Sequence, residues 1–137
     1  MRVRVFTVPV QVQSRSQEWT VEVDDYVSEP TGNTRYRLAL QNPDGTTWEA
    51  DEWDVFEGLL ELRRQVESTG VAVCCNGSRR NAWASGMARQ MGGGWIVYLL
   101  EEGQPATQRA NTFDAAPPED VVQVADQVAW VNAWFPS

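Results

Sequence analysis

Residues 46–68 read TTWEADEWDVFEGLLELRRQVES, and the spacing of the apolar residues changes within this stretch. Residues 46–50 alternate in a way that is typical of a β-strand. After them, apolar residues recur at the spacing that is typical of an amphipathic helix. The helical positions are Val55, Phe56, Leu59, Leu60, Leu62 and Val66. We expect this helix to begin at Asp51 or Glu52 and to end near Ser68.

Strand patterns lie on both sides of that helix. The predicted strands are residues 2–13, 18–27, 35–40, 46–50, 71–75, 95–100 and 109–113. Residues 95–100 are the most apolar of these and should form a central strand. The turn sequence Asn42-Pro43-Asp44-Gly45 joins two strands as a hairpin, and Pro117-Pro118 should open a final helix. This order predicts one α+β domain over residues 1–137, with a mainly antiparallel sheet packed against two longer helices.

The composition excludes several classes of chemistry. The chain has 19 acidic residues, 11 basic residues that are all arginine, and no histidine, for a net charge of -8. Without histidine and lysine, a Ser-His-Asp site, a histidine-ligated metal and a lysine Schiff base are excluded. The acidic charge disfavours nucleic acid and anionic membranes and suits a basic protein partner. No apolar run is long enough for a signal peptide or a membrane span, so we expect a cytoplasmic protein.

Both cysteines lie at the start of an irregular, glycine-rich run, Cys74–Gly94. Adjacent strand residues point to opposite faces, so one thiol should face the core and the other the opposite surface. Cys75 would be the only credible nucleophile, with its pKa lowered by Arg79 or Arg80. The favoured alternative is that both cysteines are small apolar residues that fill a strand. Two cysteines without histidine cannot complete a zinc site, so we predict no metal and no cofactor.

The same run contains the candidate residues for a small anionic ligand. They are Asn76, Arg79, Arg80, Ser85 and Arg89. Guanidinium groups and backbone amides beside glycines can hold a phosphate or a carboxylate. The glycine spacing matches neither a P-loop nor a dinucleotide-binding motif. The favoured alternative is that the arginines pair with acidic residues of the chain, and that Ser85 caps a short helix over Gly86–Met91.

Aromatic and acidic residues alternate around the start of the first helix, which is a pattern typical of a protein interface. The candidate partner-binding residues are Trp48, Glu52, Trp53, Asp54 and Glu57. The alternative is that the carboxylates form an ordinary solvated helix face and that the indole rings fill the space between sheet and helix.

Two resemblances accompany these patterns. The segments Cys75–Asn81, Ser85–Met87 and Met91–Gly94 resemble a signature of small uncharacterised bacterial proteins, which implies no particular activity. In size, acidity and strand–helix order the chain is also similar to the immunity proteins that accompany bacterial toxins. That second resemblance rests on no residue-level motif, so it assigns no site residues.

Two functional hypotheses follow from the sequence. The favoured one is an acidic, non-enzymatic interaction module, of the immunity type, that binds a basic protein. The alternative is a binding protein or enzyme for a small anionic ligand that uses the Cys74–Gly94 run.

Overall fold

The computed structural model describes residues 2–86 and 92–135. The first five strands are β1 (Arg2–Val12), β2 (Arg15–Ser28), β3 (Asn33–Gln41), β4 (Thr47–Glu52) and β5 (Val71–Val73). Three shorter strands are β6 (Ala82–Trp83), β7 (Ile96–Leu99) and β8 (Arg109–Asn111), and the helices are α1 (Val55–Glu67) and α2 (Val124–Trp134). The strands form a five-stranded sheet, ordered β4-β3-β2-β1-β5, and a three-stranded sheet, ordered β6-β7-β8. All neighbouring strands pair antiparallel.

The main core lies between one face of the five-stranded sheet and α1. Alternation along the strands buries Val8, Val10, Val21 and Leu40 on this face, whereas Val5 of β1 is exposed on the other. The apolar side of α1 covers the buried face with valine and leucine side chains. The predicted alternation and the α+β class are therefore confirmed for this single small domain.

A second apolar cluster buries the other side of α1. Phe56 and Leu60 of α1 pack with Ala82 of β6, Val97 of β7 and Val124 of α2. The helix therefore lies between the two sheets, which explains why its apolar surface is wider than a single stripe. The most apolar predicted strand is central only within the smaller sheet, as β7.

The first helix begins later than its sequence pattern predicted. Glu52 pairs with Tyr36 of β3, which keeps residues 51 and 52 in the edge strand β4. Asp54 then caps α1, because its side chain accepts a hydrogen bond of 2.7 Å from the backbone N–H of Glu57. The predicted start at Asp51 or Glu52 is wrong because cross-strand pairing outweighs local helical preference.

The second helix is also shorter than predicted. A single 3-10 turn forms over Pro118–Asp120, and Val121 is extended because it pairs with Arg79. The helix α2 therefore begins only at Val124. The prediction of two longer helices is wrong, since α1 has 13 residues and α2 has 11. Among the described residues, no helix is long and apolar enough to cross a membrane.

Candidate functional site

Both cysteines are buried, which contradicts the prediction that one thiol reaches a surface. Each is 0% exposed. The chain at this point lies between β1 and the segment that follows β8: the backbone N–H of Cys74 donates to the carbonyl of Pro9, and its carbonyl accepts from the N–H of Ala116. Burial raises the pKa of the Cys75 thiol, and hydrogen bonding to Ser78 and the Arg63 charge only partly oppose this. The predicted lowering of this pKa by Arg79 or Arg80 is therefore wrong.

We expect neither thiol to react in the folded protein. A buried thiol with a raised pKa supplies almost no accessible thiolate. Native protein mixed with a disulfide reagent such as Ellman's reagent should show no fast phase, and both thiols should react together after denaturation in urea. A rapid reaction of one thiol in native buffer, lost on Cys75→Ser, would restore Cys75 as a candidate nucleophile.

The candidate anion-binding residues Asn76 and Arg79 are joined in a polar chain that ends on a carboxylate. Asn76 donates to the carbonyl of Asn111, and its Oδ1 accepts from Arg79 Nε at 2.9 Å. The other side of the Arg79 guanidinium contacts Asp120 Oδ2 at 2.9 Å. This arrangement is the ion pairing within the chain that the favoured alternative predicted.

Arg79 and Arg80 line a surface cavity of about 220 Å³ together with Glu119 and Asp120. The two positive charges therefore face two negative ones, and an anion there would meet repulsion as well as attraction. The Arg80 guanidinium also lies 5.6 Å from the ring centre of Trp130. Ser85 is partly buried near the end of the first described range, whereas Arg89 and residues 87–91 of the predicted short helix lie outside the described residues.

A buried arginine connects this region to both helices. Arg63 of α1 is 1% exposed and donates to Gln127 of α2 and to the backbone carbonyls of Val122 and Gly77. Burial lowers the pKa of Arg63 to about 10, so its guanidinium remains charged at neutral pH. Its carboxylate neighbour, Glu67, accepts from the first backbone N–H of α2. Through the Gly77 carbonyl, the start of the Cys74–Gly94 run therefore belongs to the buried network that joins α1 and α2.

The structure brings Glu52 and Glu57, two of the predicted partner-binding carboxylates, to the border between β4 and α1. We call the surface formed by Asp51, Glu52, Trp53, Glu57 and Glu61 the acidic edge. The strand β4 is the outermost strand of its sheet, so this border faces solvent. Glu57 and Glu61 share one cation, since each lies 3.8 Å from Arg64. Asp51 contacts both Arg35 and Arg37, so the described ion pairs place three arginines beside the four carboxylates of the acidic edge.

Glu52 carries the clearest sign of unbalanced charge on the acidic edge. Partial burial raises the pKa of its carboxyl group, and the nearby charges of Glu57, Glu61 and Asp51 raise it further, against the lowering effect of Arg35. Among residues 2–86 and 92–135, Glu52 has no ion pair. Because its charged form is disfavoured by burial and by like charges, an approaching cation would stabilise it.

Trp53 is the exposed aromatic residue of the acidic edge, with 61% of its surface accessible. The Arg35 guanidinium lies 4.5 Å from the centre of its ring. Arg35 is held in turn by Asp51, whose carboxylate is 2.8 Å from Arg35 Nε and accepts 2.7 Å from the Tyr26 hydroxyl. Burial alone would raise the pKa of Asp51, but these hydrogen bonds lower it, so Asp51 remains charged. The exposed indole ring is therefore supported by an ordered polar network.

Two of the predicted partner-binding residues are used inside the fold. Asp54 is 4% exposed and caps α1, so it is not part of an exposed surface. Trp48 is half-buried and stacks on Trp19 of β2, with 5.4 Å between ring centres. This packing agrees with the alternative that indole rings fill the space beside the sheet.

The supporting residues Tyr26 and Arg35 were missed by the sequence analysis. The signal that could have found them is the turn at residues 42–45, which sets the register of β3 against β4 and places Arg37 opposite Asp51. The next pair of strands places Tyr26 opposite Arg35.

No protein-family description and no curated protein sequence matches the chain.

Proposed function

We propose that this protein is an acidic, non-enzymatic interaction module that binds a basic protein partner through the acidic edge. The observation that carries the proposal is Glu52, a carboxylate without an ion pair among the described residues whose pKa is raised by burial and by its acidic neighbours. A lysine or arginine of a partner would provide the missing charge. Trp53 would supply the aromatic contact that often dominates interface energetics.

The overall charge supports the same partner chemistry. A net charge of -8 on 137 residues attracts basic proteins over distance and accelerates their association at low salt. Toxin immunity is the form of such binding that the chain resembles in size, acidity and strand–helix order. The small-anion alternative has weaker support, because Arg79 already pairs with Asp120.

Affinity capture from a lysate of the native host tests this proposal through matched variants. We expect the wild-type chain to retain a basic protein in low salt and to lose it as salt increases, because the contact is electrostatic. Glu52→Arg combined with Glu57→Arg should weaken retention of that protein at least about tenfold, since like charges would meet at the interface.

The control variant changes the net charge by the same amount, at two positions outside the acidic edge. Glu18 and Asp44 are exposed, and neither belongs to the acidic edge. The double variant Glu18→Arg, Asp44→Arg should retain the same protein, apart from a modest loss from the altered net charge. The proposal is wrong if both double variants lose the protein equally, or if the wild-type chain retains no specific protein under gentle conditions.

A further inference from the structure

Two tryptophans of α2 line a surface cavity together with an acidic residue. The cavity has a volume of about 230 Å³ and is bounded by Trp130, Ala133, Trp134, Glu102 and Gly103. We call it the tryptophan cavity. Trp130 and Trp134 are four residues apart and therefore lie on one side of the helix. Neither ring is needed by the acidic edge, which involves β4 and α1.

We propose that the tryptophan cavity binds an organic ammonium cation, such as a quaternary or methylated alkylammonium group. Aromatic faces combined with a carboxylate are the chemistry that recognises such cations, because the ring quadrupole attracts positive charge without requiring its full dehydration. Inorganic divalent cations prefer several oxygen ligands, whereas the described lining has a single acidic residue, Glu102. The proposal is independent of the protein partner proposed above.

The rings are already placed for this role within the chain. The Arg80 guanidinium lies 5.6 Å from the centre of the Trp130 ring, so an ammonium ligand would use the part of this ring that lines the cavity. The Nε1–H of Trp134 donates to the carbonyl of Glu101 at 2.6 Å, which fixes the orientation of the second ring. A ligand would therefore meet at least one ring whose position is set before binding, which lowers the entropy cost of association.

Charge and size both favour an ammonium group over other ligands. Glu102 lines the cavity, and α2 ends at Trp134, so the partial negative charge of the last helical carbonyls lies nearby. Arg80 lies 5.6 Å from the Trp130 ring centre but does not line the cavity, so the described lining carries the negative charge of Glu102. A cavity of about 150 Å³ can hold benzene, so the volume of the tryptophan cavity is sufficient for a trimethylammonium head group.

The test follows the indole N–H signals of the seven tryptophans of the full chain by NMR while choline chloride is added against sodium chloride of equal ionic strength. Trp130→Phe and Trp134→Phe assign the two relevant signals. We expect saturable shifts confined to these two signals. The neutral isostere 3,3-dimethylbutan-1-ol should bind at least about tenfold more weakly, because it has the shape of choline without the charge.

Neighbouring glutamates provide a matched pair of variants that should leave the fold intact. Glu102→Gln should weaken choline binding at least about threefold, whereas Glu101→Gln, whose side chain does not line the cavity, should leave it unchanged. Equal binding of choline and its neutral isostere, shifts spread over other indoles, or no saturable shift at millimolar choline would overturn the proposal.

The same cation can come from a metabolite or from a methylated lysine of a protein. A short peptide with one trimethyl-lysine, compared with its unmodified form, distinguishes the two sources. Tighter binding of the methylated peptide than of choline assigns the site to a protein ligand, and the reverse order assigns it to a free metabolite. Both results support the cation site, whereas equal binding of the methylated and unmodified peptides, with no response to choline, contradicts it.

Discussion

Replacing Arg63 by methionine is expected to lower the free energy of unfolding by about 3 kcal/mol, because it breaks a buried charged network. The guanidinium is the donor to Gln127 Oε1 and to the carbonyl of Val122, both in the segment that forms or precedes α2. Methionine fills similar volume but donates nothing, so these acceptors would lose a partner in the interior. The loss should be visible as a lower midpoint in urea unfolding followed by circular dichroism.

The adjacent arginine is the matched control for this variant. Arg64 has 45% of its side chain exposed, and its ion pairs within the described residues are to the partly exposed carboxylates Glu57 and Glu61. Arg64→Met should therefore change the free energy of unfolding by less than about 0.5 kcal/mol. Equal effects of the two substitutions would mean that Arg63 does not hold α2 against α1, and that the described network contributes little.

Replacing Gly94 by alanine is expected to lower the free energy of unfolding by about 2–3 kcal/mol. Gly94 has a φ of +77°, where an L-residue costs about 1 kcal/mol or more. A β-carbon there would lie 2.9 Å from Asp54 Oδ1 and 2.9 Å from the backbone nitrogen of Phe56. The substitution would therefore displace the cap of α1, which is worth about 1 kcal/mol.

A second glycine separates the two causes of this loss. Gly103 has a φ of +71°, but a β-carbon there would meet no atom within 4 Å. Gly103→Ala should lower the free energy of unfolding by only about 1 kcal/mol, which is the backbone cost alone. If thermal or urea unfolding shows the same loss for both variants, the close approach of Gly94 to the start of α1 has no energetic importance.

The substitutions Arg63→Met and Gly94→Ala both test the structural role of the Cys74–Gly94 run. In its first turn the Gly77 carbonyl accepts a hydrogen bond from Arg63, and its last glycine lies against the cap of α1. Cys75 is fully buried in the main core. The described parts of the run thus connect core elements, through Gly77, Gly94 and the Arg79–Asp120 pair.

Local patterns were sufficient to predict most of the sheet. The alternation of Trp19, Val21 and Val23 matches their burial, and the Asn42–Gly45 turn forms with Asn42 Oδ1 accepting from the backbone N–H of Thr46 at 2.9 Å. Both features depend on residues close in sequence, so the sequence contains their cause.

The predictions that proved wrong concern residues whose structure is set by contacts with distant parts of the chain. The pairing of Glu52 with Tyr36 delays the start of α1, and the pairing of Arg79 with Val121 delays the start of α2. The burial of Cys74 depends on Pro9 and Ala116, which approach it from elements far away in sequence. No local pattern predicts such contacts, because each is set by how the two sheets enclose α1.

Only some of the predicted partner-binding residues lie together at the surface. Glu52, Trp53 and Glu57 lie on the acidic edge, whereas Asp54 and Trp48 serve the helix cap and the aromatic packing. The sequence analysis identified the acidic and aromatic composition of this stretch. It could not distinguish an exposed side chain from a buried one, because strand and helix meet between residues 52 and 55.

Hydrogen–deuterium exchange of the chain, measured with and without the protein that affinity capture retains, tests the central claim most directly. The account predicts that binding slows exchange in peptides covering residues 47–61, which contain β4 and the first half of α1. Peptides covering residues 76–83 and 118–123, around the Arg79–Asp120 pair, should exchange at the same rate in both samples. Protection confined to those latter peptides, with no change over residues 47–61, would contradict the claim that the acidic edge is the docking surface.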